Sequence, residues 1–297
     1  MFILSGLSEA VSFLTVFKLK RKGKSGKSGT EDEGKDTDKG EFLYITRLKK
    51  SIKYFPPAGF LIGMVSASIF YVFNKFLPVQ PSILVSIFFL YIITGGLHFD
   101  GLSDTFDGFF AYLKSGDKNR FYKAMKDVNT GAAGNMAVIF YVLIMWSLIA
   151  SVDPAQSFNF VSGGAIPDHN FFIFNRGVNL TYLTLLTFPM VGRYSIVVMS
   201  YFSNTPDNFK GIGAIFTEGT DIWSFIAASI FTLIIIYFFL KLAGIFSLLI
   251  TVFIILFAAF YFGKRFGGVN GDMLGFTVKL SEVVFTVVLI GFTKILY

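Results

Sequence analysis

The chain has 297 residues, of which 54% are hydrophobic and only 15% are charged, and its mean hydropathy is +0.64. Soluble globular domains carry roughly 25% charged residues, so this composition excludes a soluble enzyme and a disordered chain. Cysteine is absent, which excludes a disulfide framework, a thiolate zinc site and a cysteine nucleophile. The net charge of +7 is local, because residues 18–53 alone carry +6. The basicity therefore does not indicate an acidic partner, and no nucleic acid partner is expected.

The amino-terminal region divides into two parts. Residues 1–17 are apolar but include Glu9 and three serines, and they have no basic start. This pattern fits neither a signal peptide nor a spanning helix, so it predicts an interfacial or re-entrant helix. Residues 18–40 are rich in Lys, Gly and Ser and then in acids, without apolar periodicity. They are predicted to form a flexible cytoplasmic insertion.

Apolar runs of about twenty residues, the length that crosses a bilayer, follow this insertion. They predict about seven transmembrane helices: Pro57 to Phe76, Ile83 to Leu97, Gly134 to Val152, Gly177 to Phe202, Trp223 to Leu240, Gly244 to Phe262 and Phe276 to Tyr297. The expected fold is all-α. Residues 1–297 are interpreted as a single transmembrane catalytic domain of a polytopic integral membrane protein.

The positions of Lys and Arg predict the orientation of these helices, since cytoplasmic loops carry an excess of both. If residues 18–53 are cytoplasmic, alternation places 98–133, 203–222 and 263–275 on the same side, and these four segments hold 20 of the 26 cations. The chain is therefore expected in the cell (inner) membrane as a multi-pass protein in contact with membrane lipid, with its active site facing the cytoplasm.

Candidate catalytic residues cluster after the second predicted span, where the chain reads GGLHFDGLSDTFDGF. In a helix, Asp100, Asp104 and Asp107 share one face at spacing i, i+4, i+7, and three carboxylates there repel one another unless a cation lies between them. Oxygen ligands without cysteine favour Mg²⁺ or Mn²⁺. His98 lies beside them as a candidate general base. The alternative interpretation is a solvated acidic helix end that binds nothing.

Further candidates for binding a phosphate-bearing substrate lie on the same predicted side. Gly96 and Gly101 would let a phosphate approach the backbone, and Asp127 with Gly131 indicates a ligand loop at the entrance of the third span. The basic run 118–126 has two readings, a lipid anchor or a phosphate-binding helix. The predicted substrate-binding set is Gly96, Gly101, Asp127, Gly131, Arg193, Lys210 and Asp272.

Two charged features lie inside predicted spans. Arg193 interrupts an otherwise apolar stretch, and an intramembrane cation is functional by default; the alternative is an arginine that snorkels to the interface. Lys279 and Glu282 stand at i, i+3 on the last span, so they are candidates for a simple ion pair.

Five blocks resemble, in order and spacing, the cobalamin synthase family: Gly95 to Gly108, Met125 to Gly134, Gly192 to Met199, Lys210 to Phe216 and Gly267 to Glu282. SFLT at 12–15 and YFPPAGFLIG at 54–63 resemble its amino-terminal blocks. The resemblance implies an integral membrane, Mg²⁺-dependent transferase that completes the nucleotide loop of a corrinoid. In that reaction a hydroxyl of α-ribazole, or of its 5′-phosphate, attacks the cobinamide-linked phosphorus of adenosylcobinamide-GDP, and GMP leaves.

By position, the resemblance assigns the family's site to His98, Asp100, Asp104, Asp107, Asp127 and Asp272. The residue chemistry favours Asp100, Asp104 and Asp107 as metal ligands, with Asp127 as a further ligand, and leaves the general base open between His98 and the aspartates. Asn129 and Lys279 depart from the family pattern, in which an arginine and an acid are usual. The oligomeric state is left open.

Two alternatives compete with this reading. A CDP-alcohol phosphatidyltransferase also uses clustered aspartates at a membrane boundary, but here Asp100-Gly101 is followed by Leu102-Ser103-Asp104, without the Ala-Arg of that family's motif and with a different later spacing. An ion-coupled transporter would use intramembrane charges such as Arg193 and Glu282. Against a transporter, the acids cluster on one predicted side instead of at the midplane.

Overall fold

The computed structural model describes residues 2–17, 43–152, 179–206 and 211–296, and this part of the chain is helical throughout, without strands. The predicted insertion at 18–40 and Lys210 lie outside the described residues. Ten α-helices are labelled here: α1 Phe2–Leu14, α2 Phe55–Phe73, α3 Val79–Ile93, α4 Leu97–Ser115, α5 Lys118–Met125, α6 Ala132–Ala150, α7 Leu180–Phe202, α8 Ile212–Thr217, α9 Ile222–Phe266 and α10 Gly271–Leu296. A helical stretch at 43–51 and a 3-10 turn, Ile52–Tyr54, lead into α2.

Local signals place many of the helix ends. Asn179 and Asp221 cap α7 and α9 by accepting backbone N–H groups at 2.8 Å, and Pro56 and Pro57 stand in the first turn of α2, where a missing N–H costs little. Gly116 and Gly267 end α4 and α9 in the left-handed conformation that glycine adopts without strain.

Five helices in the described ranges are long and apolar enough to cross a membrane, and α3 with α4 makes six if that bent pair is one crossing. The all-α, polytopic prediction is confirmed. Each apolar run predicted to span lies largely within an observed helix, although ends move by a few residues, as when α2 begins at Phe55 instead of Pro57. The number of crossings, about seven, stays a prediction.

The 45-residue helix α9 folds back on itself at Lys241, which has the non-helical angles φ 51° and ψ −141°. A Cβ built on Gly244 would lie 2.8 Å from Ile236 Cγ2, although eight residues separate their axial positions by about 12 Å in a continuous helix. Phe262 then returns to the start of α10, where its ring lies 5.9 Å from that of Phe276. The two arms match the two spans predicted on either side of this position.

Helix α7 is the centre of the molecule, because it is buried along nearly its whole length between α2, α9 and α10. Its contact with α2 depends on small residues. A Cβ on Gly63 would lie 2.0 Å from the carbonyl oxygen of Leu186, so the two backbones can approach closely only with glycine there. Helix α1 packs on α2 and buries Ala10 and Leu14; its predicted place at the membrane interface stays a prediction.

The second predicted span ends earlier than expected, and the chain turns sharply after it. Helix α3 stops at Ile93, Gly95 and Gly96 take left-handed angles, and α4 leaves at 90°. Helix α4 carries the predicted acids and is not among the five helices that are long and apolar enough to span a membrane. It packs against α5, α6 and α10.

Candidate active site

Helices α4 and α10 cross at two glycines, and this crossing assembles the acids. A Cβ on Gly101 would lie 2.6 Å from the carbonyl oxygen of Asp272 and 3.0 Å from Gly275 Cα. The space above Gly101, predicted to admit a phosphate, is therefore filled by the backbone of α10. The close approach brings Asp100 and Asp104 of α4 next to Asp272, which is 168 residues further along the chain than Asp104.

The carboxylates at this crossing interact as like charges. Burial, followed by the neighbouring carboxylates Asp100, Asp272 and Asp107 in that order of effect, raises the pKa of Asp104 from 3.8 to about 7. Asp100 is exposed and Asp104 is half-buried. This acidic crossing, Asp100, Asp104 and Asp272, thus concentrates negative charge that a cation would stabilise.

In the described residues, the protein's side chains do not by themselves form a metal site. Across the described residues, no three His, Cys, Asp or Glu side chains stand close enough together to hold a metal ion. The donor set nevertheless fits Mg²⁺, which is usually bound by one or two carboxylates together with substrate phosphates. The metal ligands stay a prediction.

Asp107 is already engaged by the protein. Its Oδ2 accepts the N–H of Gly131 at 2.7 Å and its Oδ1 accepts the N–H of Gly134 at 2.9 Å. These are unpaired donors at the start of α6, where a negative charge is favourable. Asp107 of α4 thereby caps α6 and anchors the 126–131 loop.

Asp127 lies exposed in that loop, where its Oδ1 accepts the backbone N–H of Asn129 at 3.0 Å and the side-chain amide at 3.3 Å. The basic run beside it forms α5, capped by Asp117. The structure places Asp127 on the same cavity as Asp107, not at the acidic crossing.

Two cavities flank the acidic crossing. The larger, about 970 Å³, lies between α4, α6 and α10, and Asp107, Lys114 and Asp127 mark its polar part. The smaller, about 330 Å³, is lined by Asp100 and Asp272 among others. Because Asp104 is close to acids on both cavities, the carboxylates stand between two volumes that could each hold a substrate.

His98 is buried beneath the crossing, and its Nδ1 has no hydrogen-bond partner among the described residues. Burial, then the charges of Arg193 and Lys279, lowers the pKa of His98 well below its usual value. The imidazole is therefore neutral at neutral pH, which is the form that can accept a proton.

Arg193, Lys279, Glu282 and Tyr141 form a buried ion cluster below the acids. Arg193 Nη1 lies 2.7 Å from Glu282 Oε1, and Lys279 Nζ lies 2.9 Å from Glu282 Oε2. Tyr141 donates its hydroxyl to the same carboxylate, and the Lys279 ammonium stands 4.0 Å from the centre of the Phe99 ring. The predicted pairing of Lys279 with Glu282 is confirmed, and Arg193 is fully buried, so it does not snorkel.

The structure separates the predicted residues into three groups. Asp100, Asp104 and Asp272 meet at the crossing; Asp107, Asp127 and Gly131 border the larger cavity; Arg193 belongs to the buried ion cluster. Gly96 makes the turn into α4, with φ 70°. Sequence reasoning missed Tyr141 and Asn270, since Tyr141 lies in an unmarked apolar run; Asn270 could have been found from its place two residues before Asp272.

The family model described as cobalamin-5-phosphate synthase matches residues 6–290. The chain belongs to this family. The family predicted from the motif blocks is thus confirmed.

Curated relatives agree with this assignment. A protein from Thermoanaerobacter pseudethanolicus, named adenosylcobinamide-GDP ribazoletransferase, is 29% identical over 84% of this chain and 86% of its own length. A protein of the same name from Clostridioides difficile is 30% identical over 80% of this chain and 86% of its own. No solved structure matches the chain.

Proposed function

We propose that this chain is an adenosylcobinamide-GDP ribazoletransferase. A hydroxyl oxygen of α-ribazole, or of its 5′-phosphate, attacks the phosphorus attached to cobinamide. A new P–O bond forms, the anhydride bond to the second phosphorus breaks, and GMP leaves while the hydroxyl proton passes to a base. The products are adenosylcobalamin, or its 5′-phosphate, and GMP.

One observation carries this proposal: three carboxylates of the acidic crossing stand between two cavities. Transfer between a diphosphate and an alcohol needs two bound substrates, an aligned hydroxyl and neutralised phosphate charge, with little covalent work by the protein. Asp100, Asp104 and Asp272 lie where two such substrates would meet. The family match and the names of the relatives support the identity of the substrates.

We propose Mg²⁺ as the cofactor. Asp100 and Asp104 would hold it together with the substrate phosphates, because a cation relieves their mutual repulsion and because both oxygens of Asp107 already accept N–H groups. Bound Mg²⁺ would neutralise charge on the diphosphate. Asp107 and Asp127 then act on the loop at the larger cavity.

The base that accepts the hydroxyl proton is proposed to be His98, Asp100 or Asp104. Each is at the crossing, and His98 is held neutral with an unpartnered Nδ1. A base must lie within hydrogen-bond reach of the proton it accepts, so residues distant from the crossing are poor candidates.

We also propose that the chain lies in the cell (inner) membrane with the crossing toward the cytoplasm. The Lys and Arg distribution supports this orientation. Neither alternative reading gains support, because the family model differs from a phosphatidyltransferase and the acids gather at one crossing instead of a midplane site.

The test is turnover by the purified full-length protein in detergent. GMP should be released from adenosylcobinamide-GDP only when both the α-ribazole acceptor and Mg²⁺ are present, and EDTA should abolish the release. Release of CMP from a CDP-alcohol, with no GMP from the corrinoid substrate, would overturn the proposal in favour of a phosphatidyltransferase.

A further inference from the structure

The smaller cavity is assembled from several separate parts of the chain. Helix α1 contributes Phe13, α4 contributes His98 and Asp100, α7 contributes Ile196, α8 contributes Ala214 and Phe216, and the start of α10 contributes Asn270 to Asp272. Its volume of about 330 Å³ is at the lower end of the range typical of small-molecule sites. The cavity thus has the scale of one flat base with its sugar.

Fixed polar groups surround this cavity. Asn270 is 6% exposed; its Oδ1 accepts the N–H of Met273 at 3.0 Å and its Nδ2 donates to Asp272 Oδ2 at 3.3 Å. His98 is 3% exposed and its Nδ1 is unpartnered among the residues that the structure describes. A buried nitrogen without a partner is costly, so it is a specific place for a ligand hydrogen bond.

Aromatic side chains form the opposite wall. The rings of Phe13 and Phe216 meet edge to face with centroids 5.2 Å apart, and Phe55 packs against both. A planar base that carries donors and acceptors on its edge, with apolar faces, matches this combination of rings and polar groups.

The larger cavity has a different character. Its walls are mainly Phe, Met, Ala, Leu and Val side chains, and its charged groups are Asp107, Lys114, Asp127 and Lys279. Its volume of about 970 Å³ suits a much bulkier molecule than a nucleoside. The two cavities therefore differ in both size and polarity.

We infer that the smaller cavity binds the guanosine part of the donor substrate, and hence the product GMP. This inference rests on the proposed function and assigns α1 and α8 a role in it. Asn270 and His98 bond the edge of the guanine, the phenyl rings cover its face, and the phosphate end points toward Asp100 and Asp272. The larger cavity is left to the corrinoid part of the donor and to the α-ribazole acceptor.

The experiment measures binding of radiolabelled GMP to the full-length protein by equilibrium dialysis with Mg²⁺, so that no turnover is required. The key variant is Ala214→Leu, because Ala214 is a half-buried helical alanine that lines the smaller cavity. The matched variant is Ala133→Leu, a half-buried helical alanine that lines the larger one. Ala214→Ser changes the same position without adding bulk, so it separates the effect of size from that of substitution. Thermal unfolding shows whether each variant is folded.

Ala214→Leu should weaken GMP binding by about tenfold or more, because overpacking a filled volume is unfavourable. Ala133→Leu and Ala214→Ser should retain GMP affinity within about twofold, and excess α-ribazole should not displace GMP. Equal effects of the two leucine variants, no effect of Ala214→Leu in a folded protein, or displacement of GMP by α-ribazole would each overturn the assignment. Turnover of the wild-type protein is measured separately. If turnover is normal but GMP does not bind in the smaller cavity, the proposed function is retained and only the assignment of the cavity is wrong.

Discussion

The acidic crossing and the buried ion cluster both consist of charged residues. Charges of the same sign meet in the first, and charges of opposite sign are paired in the second. At the crossing, Asp100, Asp104 and Asp272 carry like charges with an open side toward water. In the cluster, one carboxylate, Glu282, pairs with Arg193 and Lys279 and accepts the hydroxyl of Tyr141, and all four residues are buried. The difference teaches that like charges meet without an opposite partner at the crossing, whereas the cluster pairs opposite charges within the protein.

The two regions are also mechanically connected. His98, Phe99 and Asp100 follow one another on α4; Phe99 rests on the Lys279 ammonium and Asp100 faces the crossing. Helix α10 carries Asp272 at its start and both Lys279 and Glu282 further along. The ion cluster therefore holds the two helices whose ends present the acids.

The largest effect is expected from breaking the crossing. Asp104→Asn should lower turnover by roughly a thousandfold, since metal ligation contributes several kcal/mol at the transition state. GMP release measures it. The control is Asp221→Asn. Asp221 caps α9 away from the site, and an asparagine there can still accept the N–H of Ser224. Wild-type turnover in Asp104→Asn would remove this residue from the site.

Disrupting the buried ion cluster should lower the stability of the folded protein. Glu282→Gln keeps the shape but leaves two buried cations without their acid, which should cost about 3–5 kcal/mol. Thermal unfolding in detergent measures the loss, and Glu218→Gln, on the surface, is the matched control. A variant as stable as the control would show that Arg193 and Lys279 do not depend on this carboxylate.

The contact between the two regions can be disturbed at Gly101. Gly101→Ala places a methyl group 2.6 Å from the Asp272 carbonyl, so α4 and α10 must separate. Displacement of the acids should reduce turnover by about tenfold to a hundredfold. Gly291→Ala in α10, which meets no atom within 4 Å, should leave turnover unchanged. Equal rates in the two variants would argue against close crossing as the basis of the site.

The smallest effect is expected from Lys279→Met. Methionine fills a similar volume and leaves Arg193 and Glu282 as a one-to-one buried pair, so no buried charge loses its partner and the desolvation cost of the ammonium is removed. The unfolding free energy should change by about 1 kcal/mol or less. A loss as large as that of Glu282→Gln would show that the ammonium itself stabilises α10 against Phe99 and Tyr141.

Much of the site could be predicted from local patterns. The i, i+4, i+7 spacing placed Asp100, Asp104 and Asp107 on one helix, and i, i+3 spacing paired Lys279 with Glu282, because both depend only on helical geometry. The different interactions that the three acids make could not be predicted. Asp107 differs from Asp104 only because the start of α6 happens to lie against it.

The amino-acid sequence by itself determined the membrane class, the helical fold, the approximate spans and the family, since these follow from apolar run length, residue spacing and motif order. Only the tertiary structure decided which charges meet. Arg193 and Glu282 are 89 residues apart and pair because α7 and α10 pack together. Such pairing depends on close packing over the whole fold, and neither hydropathy nor periodicity carries that information.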